Sequence, residues 1–334
     1  MAGINDYNDK ITQWSGIEGG EEYLKIDRKI QFLSDYLYAD FEPTFGAYPD
    51  FYSRLAKWIT NVTSDDDQKL LFKLVPRIFY LGREEFNCLH RTAYNTAIKN
   101  WLIEIGNLTF DNQDYLKYLS QAMEDTWFCP VTDSFRINQF YHLNQISTKH
   151  TFRPDWRSLR KFGDINKIIL YIIKNNVKQI VLLEDFVGSG TQCVGPIKFA
   201  CDLITEAASK QVNLKILFVP LIIFPVGLDK INKSLVSNYP NFSIKPIIEV
   251  KLSEIINKEA EDSNDELKPF VDMIERSFTL VKGDTTMPMG IEKFGYKNTG
   301  GLVVMCTNTP NNSLPIIFYE SNSWSPLFKR HFRD

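Results

Sequence analysis

The stretch Gln179 to Gln192, QIVLLEDFVGSGTQ, constrains the fold more than any other part of this chain. Ile180, Val181, Leu182 and Leu183 are consecutive apolar residues. Such a run reads as a strand covered on both faces. It ends in the adjacent carboxylates Glu184 and Asp185, followed by Phe186 and Val187 and then the small-residue loop Gly188-Ser189-Gly190-Thr191. Glycines allow a tight loop whose N–H groups face one concavity, and a helix starting there aims its N-terminus at the same spot. Anions bind such nests. The carboxylates accept hydrogen bonds from vicinal hydroxyls and would repel a phosphate, so they are expected to face a sugar or a cation. In open α/β sheets ligands bind at the carboxyl ends of strands, where this pair stands. The alternative is a plain strand-to-helix turn with two incidental acids.

Two familiar phosphate motifs do not fit. The Walker pattern needs a Lys before its Ser or Thr, and a dinucleotide fingerprint needs a third Gly after Gly190. Neither is present.

Around this stretch the chain alternates strand and helix patterns. Trp127–Val131 reads as a short strand, and a helix is expected from Gly163 to about Asn175. Pro196 suits the first turn of the helix after the loop. Leu214–Phe224 reads as a central strand, Val226–Val236 as a helix and Phe242–Val250 as a strand. That alternation predicts an α/β fold, a parallel sheet core flanked by helices.

The first 125 residues read as an all-helical N-terminal region, and residues 126–334 as the α/β core. Residues 1–20 look like a loose lead-in. Tyr23, Ile26, Ile30, Leu33 and Leu37 repeat at helical spacing. Asp50 is a candidate cap for a second helix. Ser64 before Asp65, Asp66 and Asp67 suits a third, with a metal site as the other reading of the acids. A long helix is expected over about Glu84–Ile105, ended by Gly106, and another over Asn112–Met123. Residues near 251–284 turn polar and acidic and read as an exposed helical insertion. Gly300–Cys306 and Leu314–Tyr319 are expected to be further strands.

Several polar groups are candidates for the site. Asp133, between Thr132 and Ser134, would act as a base or orient a substrate, or simply cap a turn. Asn308, Asn311 and Asn312 would read a nucleotide edge, or serve as turn residues. His142 and His150 have no evident partners in sequence. Lys149, Arg153, Arg157, Arg160 and Lys161 are interleaved with Phe152 and Trp156. This run is a solvated basic face, a loop that closes over a ligand, or a nucleic-acid contact with stacking aromatics.

Composition narrows the classes. A net charge of -3 supplies no global field toward nucleic acid or an anionic membrane. The longest apolar run, Ile216–Val226, is too short to span a bilayer. The N-terminal MAGINDYNDKITQW is polar and lacks a signal-peptide core, and five cysteines fit no zinc spacing. A reduced, cytoplasmic protein without a membrane partner is expected.

At residues Val181–Thr191 the chain resembles the phosphoribosyl pyrophosphate signature of type I phosphoribosyltransferases: an apolar strand, two acids, two apolar residues and a Gly/Ser/Thr loop. The resemblance implies a phosphoribosyltransferase-like core. Glu184 and Asp185 would hold ribose hydroxyls, and Val187, Gly188, Ser189, Gly190 and Thr191 the 5′-phosphate. It also implies catalytic roles for Asp185, Glu184 and Asp133, and Mg²⁺ held indirectly by Glu184 and Asp185 through ligand or water. Ser134, Arg136, Arg153, Arg157 and Lys161 would contact pyrophosphate or close over it. With Phe128–Ser134 and the tail Gly300–Val304, Asn308–Pro315, Trp324 and Leu327, the chain is similar to bacterial phosphoribosyltransferase-like effectors of conflict systems, some retron-associated. That subgroup implies antiphage defence and a reverse transcriptase or nucleic-acid partner. Phosphoribosyl transfer, noncatalytic nucleotide sensing within an assembly, and nucleosidase-like hydrolysis all remain open on these residues.

Overall fold

The computed structural model describes residues 2–43, 50–147, 165–209, 213–251, 254–262 and 264–332. The chain divides into two compact units, residues 1–85 with 251–334, and residues 86–250. The boundary expected between 125 and 126 therefore falls inside the second unit.

The first unit opens on a helix, Ala2–Ser15, not on a loose lead-in. Tyr7, Ile11 and Trp14 fall on one face at intervals of four and three residues and are buried. The Trp14 ring lies 5.6 Å from Phe72, and its indole N–H donates to Asp65 Oδ1 at 2.8 Å. Helix Glu21–Tyr36 follows. Asp50 caps Phe51–Ile59 by accepting from the Ser53 N–H at 2.8 Å, and Ser64 caps Asp65–Leu74 by accepting from the Asp67 N–H at 3.3 Å. The acids after Ser64 are spent on the protein. Asp65 pairs with Lys69 at 2.7 Å and Asp67 with Arg276 at 2.6 Å. A short strand, β1 (Phe79–Leu81), ends this segment.

The second unit is a parallel sheet between two helical layers. Its strands are β2 (Thr126–Pro130), β3 (Gln179–Val187), β4 (Lys215–Ile223), β5 (Phe242–Ile244) and β6 (Ile248–Glu249). They stand in the order β2-β3-β4-β5, with β6 also paired to β4. The strand expected over Phe242–Val250 is thus two pieces, interrupted around Pro246, whose ring removes the ladder N–H. Period-two alternation sorts the side chains. Trp127, Cys129, Ile180, Leu182, Ile216 and Phe218 face a layer built from helices Ile165–Lys174, Thr191–Ser209 and Pro225–Ile231. Phe128, Val181, Leu183, Leu217 and Val219 face Ala93, Ala97, Ile98, Trp101 and Leu102.

Strand order explains this division. Strands added one after another in a single direction place right-handed crossover helices on the same face. The other face then needs cover from elsewhere. It comes from the continuous helical run Arg83–Thr92, Ala93–Ile98 and Lys99–Gly106, with Tyr115–Glu124 and Ile137–Leu143 alongside. These helices up to residue 124 were expected in a separate N-terminal region; from Phe86 onward they belong to the sheet unit instead. The middle of the run, Ala93–Ile98, is a π-helix. Pro196 lies inside helix Thr191–Ser209, one turn later than expected.

The chain then returns to the first unit. Residues 251–284 are not an exposed insertion. Helix Lys268–Lys282 buries Phe270, Val271, Met273, Ile274 and Val281 along one side, beneath a polar opposite side that dominates the composition. A hairpin of β7 (Ile291–Glu292) and β8 (Gly295–Tyr296) follows. β9 (Val303–Met305) pairs in parallel with β1, Phe79 opposite Val303, and does not join the larger sheet. The strand expected at Leu314–Tyr319 is a helical turn, Pro315–Phe318. Proline at its first position presets the helical φ, and a short buried apolar run is compatible with either element. Trp58 and Trp324 both donate to the carbonyl of Ile316, at 2.6 Å and 2.9 Å.

Candidate functional site

The candidate site lies wholly in the sheet unit, at the carboxyl ends of β2, β3 and β4. Register builds it. Pro130 stands opposite Leu183, and the Val131 N–H donates to the Leu183 carbonyl at 2.9 Å. The turn that follows β2 is thereby brought beside Glu184 and Asp185. At the other edge the Phe224 N–H donates to the Val187 carbonyl at 2.9 Å, so helix Pro225–Ile231 begins next to the loop after β3.

Glu184 and Asp185 are both buried. Glu184 faces the turn: the Thr132 N–H donates to its Oε2 at 2.9 Å, and the Thr132 hydroxyl to its Oε1 at 2.6 Å. The Ser134 hydroxyl lies 2.8 Å from Asp185 Oδ1, 3.2 Å from Glu184 Oε1 and 2.7 Å from the Thr132 hydroxyl. Asp185 also accepts from the Phe186 N–H at 2.8 Å. The oxygens thus form a chain, Glu184 to Thr132 to Ser134 to Asp185. Burial, with the adjacent Asp185 charge, pushes the Glu184 carboxyl well above its ordinary range, against the opposing pull of the Thr132 and Ser134 donors.

The loop is backbone. Gly190 has φ of +70°, a region closed to most side chains. Its neighbour is Gly227: a side-chain carbon added there would lie 2.3 Å from the Gly188 carbonyl oxygen, so helix Pro225–Ile231 touches the loop main chain to main chain. Helix Thr191–Ser209 starts at the loop, and the Cys193 and Val194 N–H groups of its first turn each donate to the Gly190 carbonyl at 3.2 Å. Ser189 and Thr191 hydroxyls are 3.1 Å apart, and the Lys230 ammonium donates to Thr191 Oγ1 at 3.1 Å. Cys193 lies buried behind the acids. Burial, with the charges of Glu184 and Asp185, holds its thiol well above its ordinary range, so it stays protonated.

These parts form one arrangement: a carboxylate pair at a strand end, a tight glycine loop and a helix N-terminus. A family model described as PRTase-CE matches residues 55–330. The chain belongs to the PRTase-CE family. It is a phosphoribosyltransferase-like protein, and its mixed α/β fold, with a parallel central sheet and helical N-terminal part, is of that kind. No curated protein matches the chain. No solved structure does either.

Within this PRTase-CE chain the expected residues fall into three groups. Glu184, Asp185, Val187, Gly188, Ser189, Gly190, Thr191 and Ser134 are brought together. Asp133 and Arg136 lie exposed on the turn after β2. Arg153, Arg157 and Lys161, with the rest of the basic run from Lys149 to Lys161, lie outside the described residues. The asparagine loop serves the first unit as turn chemistry. Asn308 Nδ2 donates to the His331 carbonyl at 2.9 Å and Asn312 Nδ2 to Thr299 Oγ1 at 2.8 Å. Sequence reasoning missed Gly227 and Lys230, because a GLDK run after a proline reads as an ordinary helix start. It also missed Thr132 as the residue that engages Glu184, a pairing that depends on the β2–β3 register. Among the described residues no helix is long and apolar enough to cross a membrane.

Proposed function

We propose that this PRTase-CE protein binds phosphoribosyl pyrophosphate, or a related ribose-5-phosphate nucleotide, and reacts at the anomeric carbon. The carrying observation is the continuity of β3, the acids Glu184 and Asp185, and the loop Gly188–Thr191 closed by positive-φ Gly190. In this reading the loop N–H groups and the Ser189 and Thr191 hydroxyls take the 5′-phosphate. Asp185 accepts from a ribose hydroxyl, while Glu184 holds the turn that carries Ser134, Asp133 and Arg136. The turn residues face the leaving pyrophosphate, and Asp133 is the base or orienting group for the acceptor.

Mg²⁺ suits the donor set. It is typically held by one or two carboxylates together with substrate phosphates. In this reading the pair Glu184–Asp185 acts on the ion through ligand or water. The ion would supply positive charge to the leaving pyrophosphate. The chain's own residues bind the phosphate and orient the sugar, while Thr132 and Ser134 hold Glu184 and Asp185 in place.

The test is pyrophosphate release from phosphoribosyl pyrophosphate with Mg²⁺, with and without a candidate partner. Release by the unaltered protein and its loss in Asp185→Asn support the reading. Tight binding with no turnover under every condition overturns transfer. It would favour a second reading, a noncatalytic nucleotide-sensing subunit, for which the engagement of both Glu184 oxygens by Thr132 is the favouring observation. Release of ribose 5-phosphate with water as the acceptor would instead indicate a nucleosidase-like hydrolase. We place the activity in bacterial antiphage defence, beside a reverse transcriptase or nucleic-acid partner, on the subgroup resemblance of the Phe128–Ser134 and Asn308–Pro315 segments. A reverse transcriptase encoded next to this chain, and co-purification with it, are the corresponding observations to seek.

A further inference from the structure

The loop after β3 has no lysine of its own, yet a lysine reaches it from another helix. Lys230 lies on Pro225–Ile231, three residues after Gly227, so both project from one side of the helix. Gly227 is the point of main-chain contact with Gly188 and Gly190. Because no side chain stands between them, the helix lies close enough for Lys230 to reach the loop. Its ammonium sits 3.1 Å from Thr191 Oγ1, at the first residue of helix Thr191–Ser209.

The surrounding charges leave this cation uncommitted. Asp229 is taken by Lys233 at 2.7 Å, and Asp202 by Lys198 at 2.7 Å. Among the described residues Lys230 makes no ion pair, and its one hydrogen bond goes to a neutral hydroxyl. An ammonium has three donors, and a single hydroxyl contact uses one of them. It stands where main-chain N–H groups and the helix dipole already favour negative charge.

We propose that Lys230 is a phosphate-binding residue of this site: it donates directly to the 5′-phosphate of the ribose ligand and makes the loop selective for the dianionic monoester. The inference rests on reading Gly188–Thr191 as a phosphate cradle, and it adds a residue supplied from outside that loop. Lys230 thus provides from a neighbouring helix the point charge that a Walker lysine provides from within its own loop.

Calorimetric titration with ribose 5-phosphate tests it, using the full chain and four proteins: unaltered, Lys230→Gln, Lys230→Arg and Lys233→Ala. Lys230→Gln keeps a donor toward Thr191 but removes the charge. It is expected to weaken binding about 10- to 100-fold, the range for a hydrogen bond to a charged group. Lys230→Arg is expected to retain most of the affinity, and Lys233→Ala all of it. Thermal unfolding in the absence of ligand should be the same for Lys230→Gln and the unaltered protein. Equal affinity of Lys230→Gln and unaltered protein overturns the role of Lys230 while leaving the cradle intact. An equal loss in Lys233→Ala overturns it too, by reducing the effect to general surface charge. Absence of binding by the unaltered protein overturns the cradle reading, and this inference with it.

Discussion

Thr132 places both of its donors on one carboxylate, its N–H on Glu184 Oε2 at 2.9 Å and its hydroxyl on Oε1 at 2.6 Å. One residue after β2 thus satisfies both oxygens of a buried acid at the end of β3. The two are 52 positions apart in the chain. The parallel register makes the meeting, and it locks the turn carrying Asp133, Ser134 and Arg136 to the strand carrying Asp185.

Replacing Thr132 with Val preserves shape and removes the hydroxyl. The buried acid then loses one of its donors, a cost of about 1–3 kcal/mol for an acceptor left without its partner. Chemical denaturation should show a loss of that order. The nearly isosteric Ser substitution should restore most of it. An unchanged unfolding midpoint in Thr132→Val would mean that the contact carries no net stability.

Gly227→Ala should injure the loop from outside it. The added carbon would fall 2.3 Å from a main-chain oxygen, which cannot rotate away. Helix Pro225–Ile231 must move, at a cost of roughly 1–3 kcal/mol. Affinity for ribose 5-phosphate should fall together with stability. This separates Gly227 from Lys230, whose replacement by Gln should lower affinity alone.

His90 predicts acid sensitivity. It is fully buried among Phe86, Phe135 and Phe140, and neither ring nitrogen has a hydrogen-bond partner among the described residues. Burial lowers its pKa from 6.5 to about 4. Between these values the unfolded chain binds the proton and the folded chain does not. Stability therefore falls as pH drops through that window and is fully present above it, a difference on the order of 3 kcal/mol. His90→Phe should flatten that part of the stability profile. Urea unfolding at pH 7 and pH 4.5 measures it, and an equal pH dependence in both proteins would show that His90 does not titrate on unfolding.

Trp14→Ala tests whether the first helix belongs to the folded unit. The ring is 1% exposed and packs on Phe72 and Tyr23. Its removal should cost about 3–5 kcal/mol. A cost near zero in thermal or urea unfolding would return residues 2–15 to the status of a lead-in.

Much of the candidate site was legible in local sequence because its chemistry is local. Residues 180–191 carry a strand, an acid pair and a glycine loop in unbroken order, and each part is dictated by residue type. The caps at Asp50 and Ser64 were legible for the same reason: a cap bonds to an N–H three residues away. The first helix was misjudged although Tyr7, Ile11 and Trp14 display its period, since the glycines at 16, 19 and 20 drew the whole segment into a loop reading. The helix Lys268–Lys282 was hidden by average polarity, its buried side being a minority of its residues.

The sequence by itself determined a parallel α/β core and the strand, acid pair and glycine loop of Glu184–Thr191, because strand burial and glycine geometry act over a few residues. Tertiary structure alone decided that β9 pairs with β1, that the helical run through Ala93–Leu102 covers the open face of the sheet, and that Thr132, Gly227 and Lys230 meet the segment Glu184–Thr191. Those outcomes depend on strand register and on the direction in which strands are added. Both are properties of distant segments brought together, and no local pattern encodes them.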